Sequence, residues 1–239
     1  MRDVKAPRLI TSREALYDAL PGDWLLRQIA HRWADDLPAY ALGGAVLLHH
    51  HWGDGDVVVL GHPDDAAALV EHYRAEIGPR RFSLPEKAAD RVEGYEREEG
   101  WAFRWTATPP PAPENATWLD ARDDEVRHVL TAGFPDASMP VGHPDVRRWA
   151  ALRRDGTLVA VAADASQVEG LGFLASITTL PEARGTGAGV AVTAWATREL
   201  TLEHGHCGLW LMAGNAVADR LYTRLGYADE HRMAVVRPA

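Results

Sequence analysis

The sequence predicts an α/β protein built on a mixed α+β sheet, with a smaller α/β lobe ahead of the main C-terminal lobe. Three observations carry that prediction. Stretches of period-2 apolar alternation and stretches with helical apolar spacing succeed one another along both halves of the chain. Toward the C-terminus a strand, a helix, a strand and a helix follow in order, which requires parallel pairing within a mixed sheet. Between the halves, Thr108-Pro109-Pro110-Pro111-Ala112-Pro113 sets four prolines in five residues, which neither a helix nor a central strand tolerates. The division read from this is an N-terminal lobe at 1–108, a proline-rich linker at 109–114 and a C-terminal domain at 115–239.

In the first lobe, residues 12–33 read as helix. Ser12 is the N-cap, Leu16, Leu20, Trp24 and Ile29 form the apolar face, and Pro21-Gly22 splits the segment. Residues 44–50 and 56–60 read as strands joined by the turn Gly53-Asp54-Gly55. A helix at 63–77 follows, with Asp64 and Asp65 in its first turn and Ala68, Leu69, His72 and Tyr73 on one stripe. Residues 101–106 alternate as a strand, and the acidic run 96–99 reads as a solvated face.

The second lobe opens with a strand at 117–119 and a helix at 123–132, followed by a Pro/Gly-rich loop at 133–144. Strands follow at 148–152, 157–163 and 171–180, the first two joined by the turn Arg154-Asp155-Gly156. After a glycine-rich turn, a helix runs to His204. A strand at 208–212, a helix at 215–225 and a strand at 233–236 complete the chain.

Composition narrows the function classes. A length of 239 residues with 46% hydrophobic and 25% charged residues fits a folded globular protein of one large or two small domains. The net charge of −9, without a dense Lys/Arg block, argues against nucleic acid and anionic membrane as partners. A single cysteine, Cys207, excludes an intrachain disulfide framework and cysteine-rich zinc modules. It reads as a small core hydrophobe. With neither a secretory pattern at the start nor an apolar run of about 18 residues, the expected location is the cytoplasm. His49-His50-His51 cannot converge on one ion from a regular strand, because neighbours face opposite ways. His204 and His206 read as helix-end residues around a Gly205 C-cap, so no metal is expected.

Most of the chemical signal lies in Leu180-Pro181-Glu182-Ala183-Arg184-Gly185-Thr186-Gly187-Ala188-Gly189, which leaves a strand and enters a helix. Glycines at alternate positions let the backbone turn sharply and approach a ligand. The unpaired N–H groups of the first helical turn and the helix dipole then favour an anion such as a pyrophosphate, with Arg184 adding a fixed positive charge. A Walker loop needs Lys-Ser/Thr after its last glycine, where Val190-Ala191 stands, and a Rossmann turn opens its domain. Behind the loop, Val192, Ala196 and Leu200 share a face that can pack on a sheet. The second informative segment is a helix with Asn215 as N-cap, Gly226 past its end, and Ala218, Leu221, Tyr222 and Leu225 on one face.

Arg184-x-x-Gly187-x-Gly189 after a strand, followed in order by Asn215…Leu221-Tyr222-x-x-Leu225-Gly226-Tyr227, resembles the GNAT superfamily of N-acetyltransferases. The resemblance covers roughly residues 115–237, and the element order of the first lobe is compatible with a degenerate copy of the same fold. The resemblance implies acetyl-CoA as acyl donor, wedged between splayed strands at 171–180 and 208–212. Ile177 and Thr179 would pair with the pantetheine arm, Arg184, Gly185, Thr186, Gly187, Ala188 and Gly189 would hold the pyrophosphate, and Asn215 would reach the cofactor wall. Tyr222 would protonate or hydrogen-bond the departing thiolate.

The acceptor implied is a primary amine of a small molecule or peptide, attacking the thioester directly in a ternary complex. The general base is weakly marked. Glu169 is the candidate on strand parity, with His143 and Asp164 as others. A homodimer is a candidate assembly. The competing functional readings are a noncatalytic acyl-CoA-binding or regulatory module and a nucleotide enzyme that uses the same turn.

Overall fold

A computed structural model describes residues 6–31, 33, 37–49, 57–113 and 116–239. Two compact units emerge. The first holds the chain up to Phe103 together with 212–214 and 230–239, and the second holds 104–211 and 215–229. This partition differs from one drawn at the proline-rich segment, although residues 107–113 there have no regular structure, as their prolines dictate.

In the first unit, β1 (Arg8–Ile10) leads into α1 (Arg13–Ala19) and α2 (Trp24–Ala30). Ser12 caps α1 by accepting the Ala15 N–H, and Asp23 caps α2 by accepting the Leu26 N–H, so the break at Pro21-Gly22 falls where the sequence placed it. The strands β2 (Ala39–Leu42), β3 (Ala45–His49) and β4 (Val57–Gly61) form an antiparallel meander with β1. The turn expected at Gly53-Asp54-Gly55, with His50 and His51, lies outside the described residues. The helix α3 (Pro63–Ile77) then crosses over to β5 (Phe82–Pro85), which runs parallel to β4. A short α4 (Glu86–Ala89) precedes β6 (Tyr95–Thr106).

In the second unit, β7 (Thr117–Asp120), α5 (Asp124–Gly133), β8 (Arg148–Arg154), β9 (Thr157–Asp164) and β10 (Gly172–Thr179) make a second antiparallel series. The long helix α6 (Ala188–His204) crosses over to β11 (Cys207–Met212), which runs parallel to β10. Last come α7 (Ala216–Arg224) and β12 (Ala228–Pro238). The element order of the first unit thus recurs in the second: antiparallel strands, a crossover helix, a parallel strand, a short helix and a final strand. Residues 230–239 of β12 nonetheless group with the first unit, because Met233–Val236 pair antiparallel with Phe82–Pro85. Backbone ladders, and not proximity along the chain, decide where a strand belongs.

Short strands escaped the sequence reading: β1, β2 and β5 are three or four residues long, too brief to show a period. β6 begins six residues before the alternating segment, and its acidic run is an exposed part of the strand whose carboxylates pair with arginines. Glu96 takes Arg237 at 2.8 Å and Glu98 takes Arg81 at 2.6 Å. The core of the first unit gathers Leu47, Val59, Leu69, Tyr73, Phe82 and Val236. In the second unit, Val192, Ala196 and Leu200 of α6 are buried, as their spacing predicts. The helix lies so close to β10 that a Cβ on Gly172 would stand 2.7 Å from that of Leu200.

Candidate functional site

The site is built where β10 and β11 stop pairing. Their parallel ladder carries Gly172↔Cys207, Phe173↔Gly208 and Leu174↔Leu209, and no further pair although both strands continue. At the same level β10 breaks register with β9, the ladder passing from Ala175↔Ala163 to Thr178↔Val161. This β-bulge is set by Ser176, which adopts φ +47°. A non-glycine residue in that region is strained by about 1–3 kcal/mol and persists only where its surroundings hold it. Here the buried Ser176 hydroxyl accepts the Met139 N–H at 3.1 Å, and its carbonyl accepts from the Thr178 hydroxyl at 3.1 Å. Ile177 and Thr179, the residues expected to pair with the pantetheine arm, flank Thr178 on the partly exposed face of β10.

Beyond β10 the chain turns through a single 3-10 turn, Pro181–Ala183, and then through Arg184 to Gly187 before α6 begins. Gly185 (φ +76°) and Gly187 (φ +87°) sit in the left-handed region, and a Cβ at either would meet open space. Gly187 is the N-cap and offers no side-chain acceptor. Among the described residues, the N–H groups of Gly185, Thr186, Gly187, Ala188, Gly189 and Val190 find no protein acceptor of ordinary hydrogen-bond geometry. Gly189 is required for another reason: a Cβ there would stand 2.9 Å from the Thr179 hydroxyl, so the first turn of α6 packs on the end of β10. Arg184 is anchored by donating to the Gly133 carbonyl at 2.8 Å, and the Thr186 hydroxyl donates to the Ala183 carbonyl at 2.7 Å. The result is a row of unspent donors, exposed from Gly185 to Gly187, at the positive end of a seventeen-residue helix, a setting that favours an anion.

α7 supplies the second half. Asn215 is its N-cap, the side-chain oxygen accepting the Ala218 N–H at 3.0 Å, so that atom serves the helix while the rest of the exposed amide stays outside it. Tyr222 is buried, its ring 5.8 Å from that of Tyr227. Its hydroxyl makes no hydrogen bond among the described residues, and burial pushes its pKa up to about 12. Tyr222 is therefore a neutral phenol with a donor to spare. Tyr227 is buried deeper and is fully engaged, with Thr197 Oγ1 at 2.8 Å and Cys207 Sγ at 3.2 Å. The sequence reading missed what holds α7. Arg104, almost fully buried, binds Asp219 Oδ1 at 2.6 Å and Thr223 Oγ1 at 2.9 Å. An arginine in an otherwise apolar, aromatic strand segment was the signal.

The candidate bases fall away from this geometry. Glu169 is not on β10. It occupies the exposed turn closed by the Val168↔Leu171 bridge, ahead of the paired end of the strand. The four residue steps from Gly172 to Ser176 alone span about 13 Å, so a carboxylate at Glu169 serves the wrong end. The reading on strand parity failed because the chain turns before the strand begins. Asp164 is fully buried and spends its oxygens on Arg148 at 2.8 Å and the Ser166 hydroxyl at 2.5 Å. His143 Nδ1 accepts the Asp145 N–H at 3.2 Å within its own turn. Cys207 is a buried thiol that burial pushes up to about 12, as a core residue should be. No His/Cys/Asp/Glu cluster with metal-ligand geometry occurs among the described residues. No helix among them is long and apolar enough to cross a membrane.

Residues 152–235 match the family model described as FR47-like protein. No curated protein matches the sequence. Several solved structures share the fold across both units. A GCN5-related N-acetyltransferase from Kribbella flavida is 22% identical over 90% of this chain and 92% of its own, with a TM-score of 0.60. An acetyltransferase from the GNAT family of Colwellia psychrerythraea is 10% identical over 98% of this chain and 100% of its own, with a TM-score of 0.64. A GCN5-related N-acetyltransferase from Sphaerobacter thermophilus is 18% identical over 83% and 76%, with a TM-score of 0.59. At these identities the structural likeness establishes a shared fold alone.

Proposed function

We propose, with the GNAT acetyltransferase fold of this chain as the premise, that it transfers an acetyl group from acetyl-CoA to a primary amine of a small molecule or peptide. The observation that carries the proposal is the row of unspent N–H groups from Gly185 to Val190 at the head of α6. Six donors without acceptors, on a backbone that glycine keeps open, suit a pyrophosphate.

The other elements take roles consistent with it. The parting of β10 and β11 leaves backbone groups at Ile177 and Thr179 available to an extended pantetheine arm, which they would bind as an added strand. The bulge at Ser176 lies where the ladder ends, so the thioester would come to rest beside backbone released from pairing. The amine nitrogen attacks the thioester carbonyl carbon, the C–S bond breaks, and an amide and a thiol are formed. The amine proton passes to water, the sulfur is protonated by the Tyr222 hydroxyl, which is neutral at any physiological pH, and Tyr222 takes a proton back from water to close the cycle. An O–H donor held without a protein partner in a water-poor position is worth most where charge develops.

Isothermal titration of acetyl-CoA into the wild type and into Gly187→Glu tests the donor site. Micromolar binding lost in the folded variant supports it, and no binding by the wild type would sink it. Thiol release in an amine screen, lost in Tyr222→Phe, then separates a transferase from a module that only binds.

A further inference from the structure

The tip of the β8–β9 hairpin reaches the anion loop. Arg154, the last residue of β8, donates from Nη1 to the Thr186 hydroxyl at 2.7 Å and to the Thr186 carbonyl at 3.2 Å, across 32 residues of sequence. The hairpin turn behind it is tightly defined, with Asp155 at φ +49° and Gly156 at φ +81°, so the arginine is presented from a stiff support. Thr186 occupies the middle of the donor row. Its hydroxyl already donates to the Ala183 carbonyl, so the Arg154 contact fills its acceptor role as well. A loop that binds an anion must keep its carbonyl oxygens away from the ligand, and an oxygen that accepts from a guanidinium is both turned and neutralised.

We propose that Arg154 is a positioning residue for the acyl-CoA pyrophosphate: it locks Thr186 so that the loop presents N–H groups alone, and it stations a second positive charge beside the site. This rests on the acetyl-CoA reading. Arg184, pinned to Gly133, holds the loop from the side of α5, and Arg154 holds it from the hairpin. Two arginines thus brace a segment whose glycines would otherwise leave it free to turn.

The test is a double-mutant cycle read by isothermal titration with CoA. Wild type, Arg154→Ala, Thr186→Val and the double variant are measured at low and high ionic strength, with thermal melts of each. Arg154→Ala should weaken binding about tenfold at low salt. The loss should shrink as salt rises, because the charge is exposed. Thr186→Val should lose less, and the double variant should lose clearly less than the sum of the two single losses, the signature of a shared interaction. A general folding defect would lower the melting temperature without this salt dependence or coupling. Wild-type-like binding by Arg154→Ala, or additive losses in the double variant, would overturn the role of Arg154 while leaving the acetyl-CoA reading intact. Failure of the wild type to bind CoA would overturn both.

Discussion

The junctions at which β4 and β10 enter their long crossover helices have the same topology and opposite chemistry. In the second unit, β10 leads to α6 through a glycine-rich loop whose N–H groups from Gly185 to Val190 are unspent. In the first, β4 ends at Gly61 and leads to α3 through His62 alone. There the His62 N–H is spent on the Gly44 carbonyl at 2.8 Å, and Pro63 has no N–H to offer. Asp64 and Asp65 place carboxylates in the first turn, and Asp65 accepts the Gly44 N–H at 2.9 Å. A Cβ on Gly61 would stand 2.1 Å from the Gly44 carbonyl, so even the space a ligand would need is filled by backbone. The helix dipole that one junction leaves open for an anion is satisfied internally at the other. Topology therefore supplies the opportunity, and a handful of local residues decide whether it is used.

That contrast can be broken most sharply at Gly187. Glutamate there puts negative charge into the donor row, and acetyl-CoA affinity should fall about a hundredfold or more by titration, with only modest loss of melting temperature. Next in size is Tyr222→Phe, which should lower kcat about a hundredfold while leaving the acetyl-CoA Kd unchanged, as steady-state kinetics and titration would show. Stoichiometry bears on both junctions at once. Calorimetry should return one acetyl-CoA per chain, and two would mean that the first unit also binds.

On the other side, Asp65→Ala removes an acceptor and a helix-end charge, and should cost about 1 kcal/mol of stability with no change in acetyl-CoA affinity. The smallest effect is alkaline. The Cys207 thiol rises from an ordinary value of 9.0 to about 12 on folding, so above pH 9 the unfolded chain loses this proton first and stability falls with pH. Cys207→Ala should remove the part of that decline starting near pH 9, leaving the part that starts near 10.0 from Tyr222 and Tyr227, both raised by burial. Chemical denaturation from pH 8 to 11 would show whether the slope flattens.

The candidate site was largely legible in advance, because its signals are local. The glycines at 185, 187 and 189, the cap at Asn215 and the face with Ala218, Leu221, Tyr222 and Leu225 each act within their own turn or helix. The bulge was not legible. Nothing in Ala175-Ser176-Ile177-Thr178 announces a left-handed serine, since that conformation is held by Met139, 37 residues away. Glu169 misled for a related reason: counting parity assumes a continuous strand, and a turn at Glu169-Gly170 resets the count.

The sequence by itself determined the longer helices, the caps at Ser12 and Asn215, the hairpin at Asp155-Gly156 and the glycine-rich turn, because each depends on contacts between residues a turn or less apart. Only the tertiary structure decided that β12 pairs with β5, that the β10–β11 ladder ends at Leu174↔Leu209, and that Arg104 and Arg154 brace elements far from them in sequence. Those outcomes turn on which backbone edges and which distant acceptors come together, and a period of apolar residues carries no record of either.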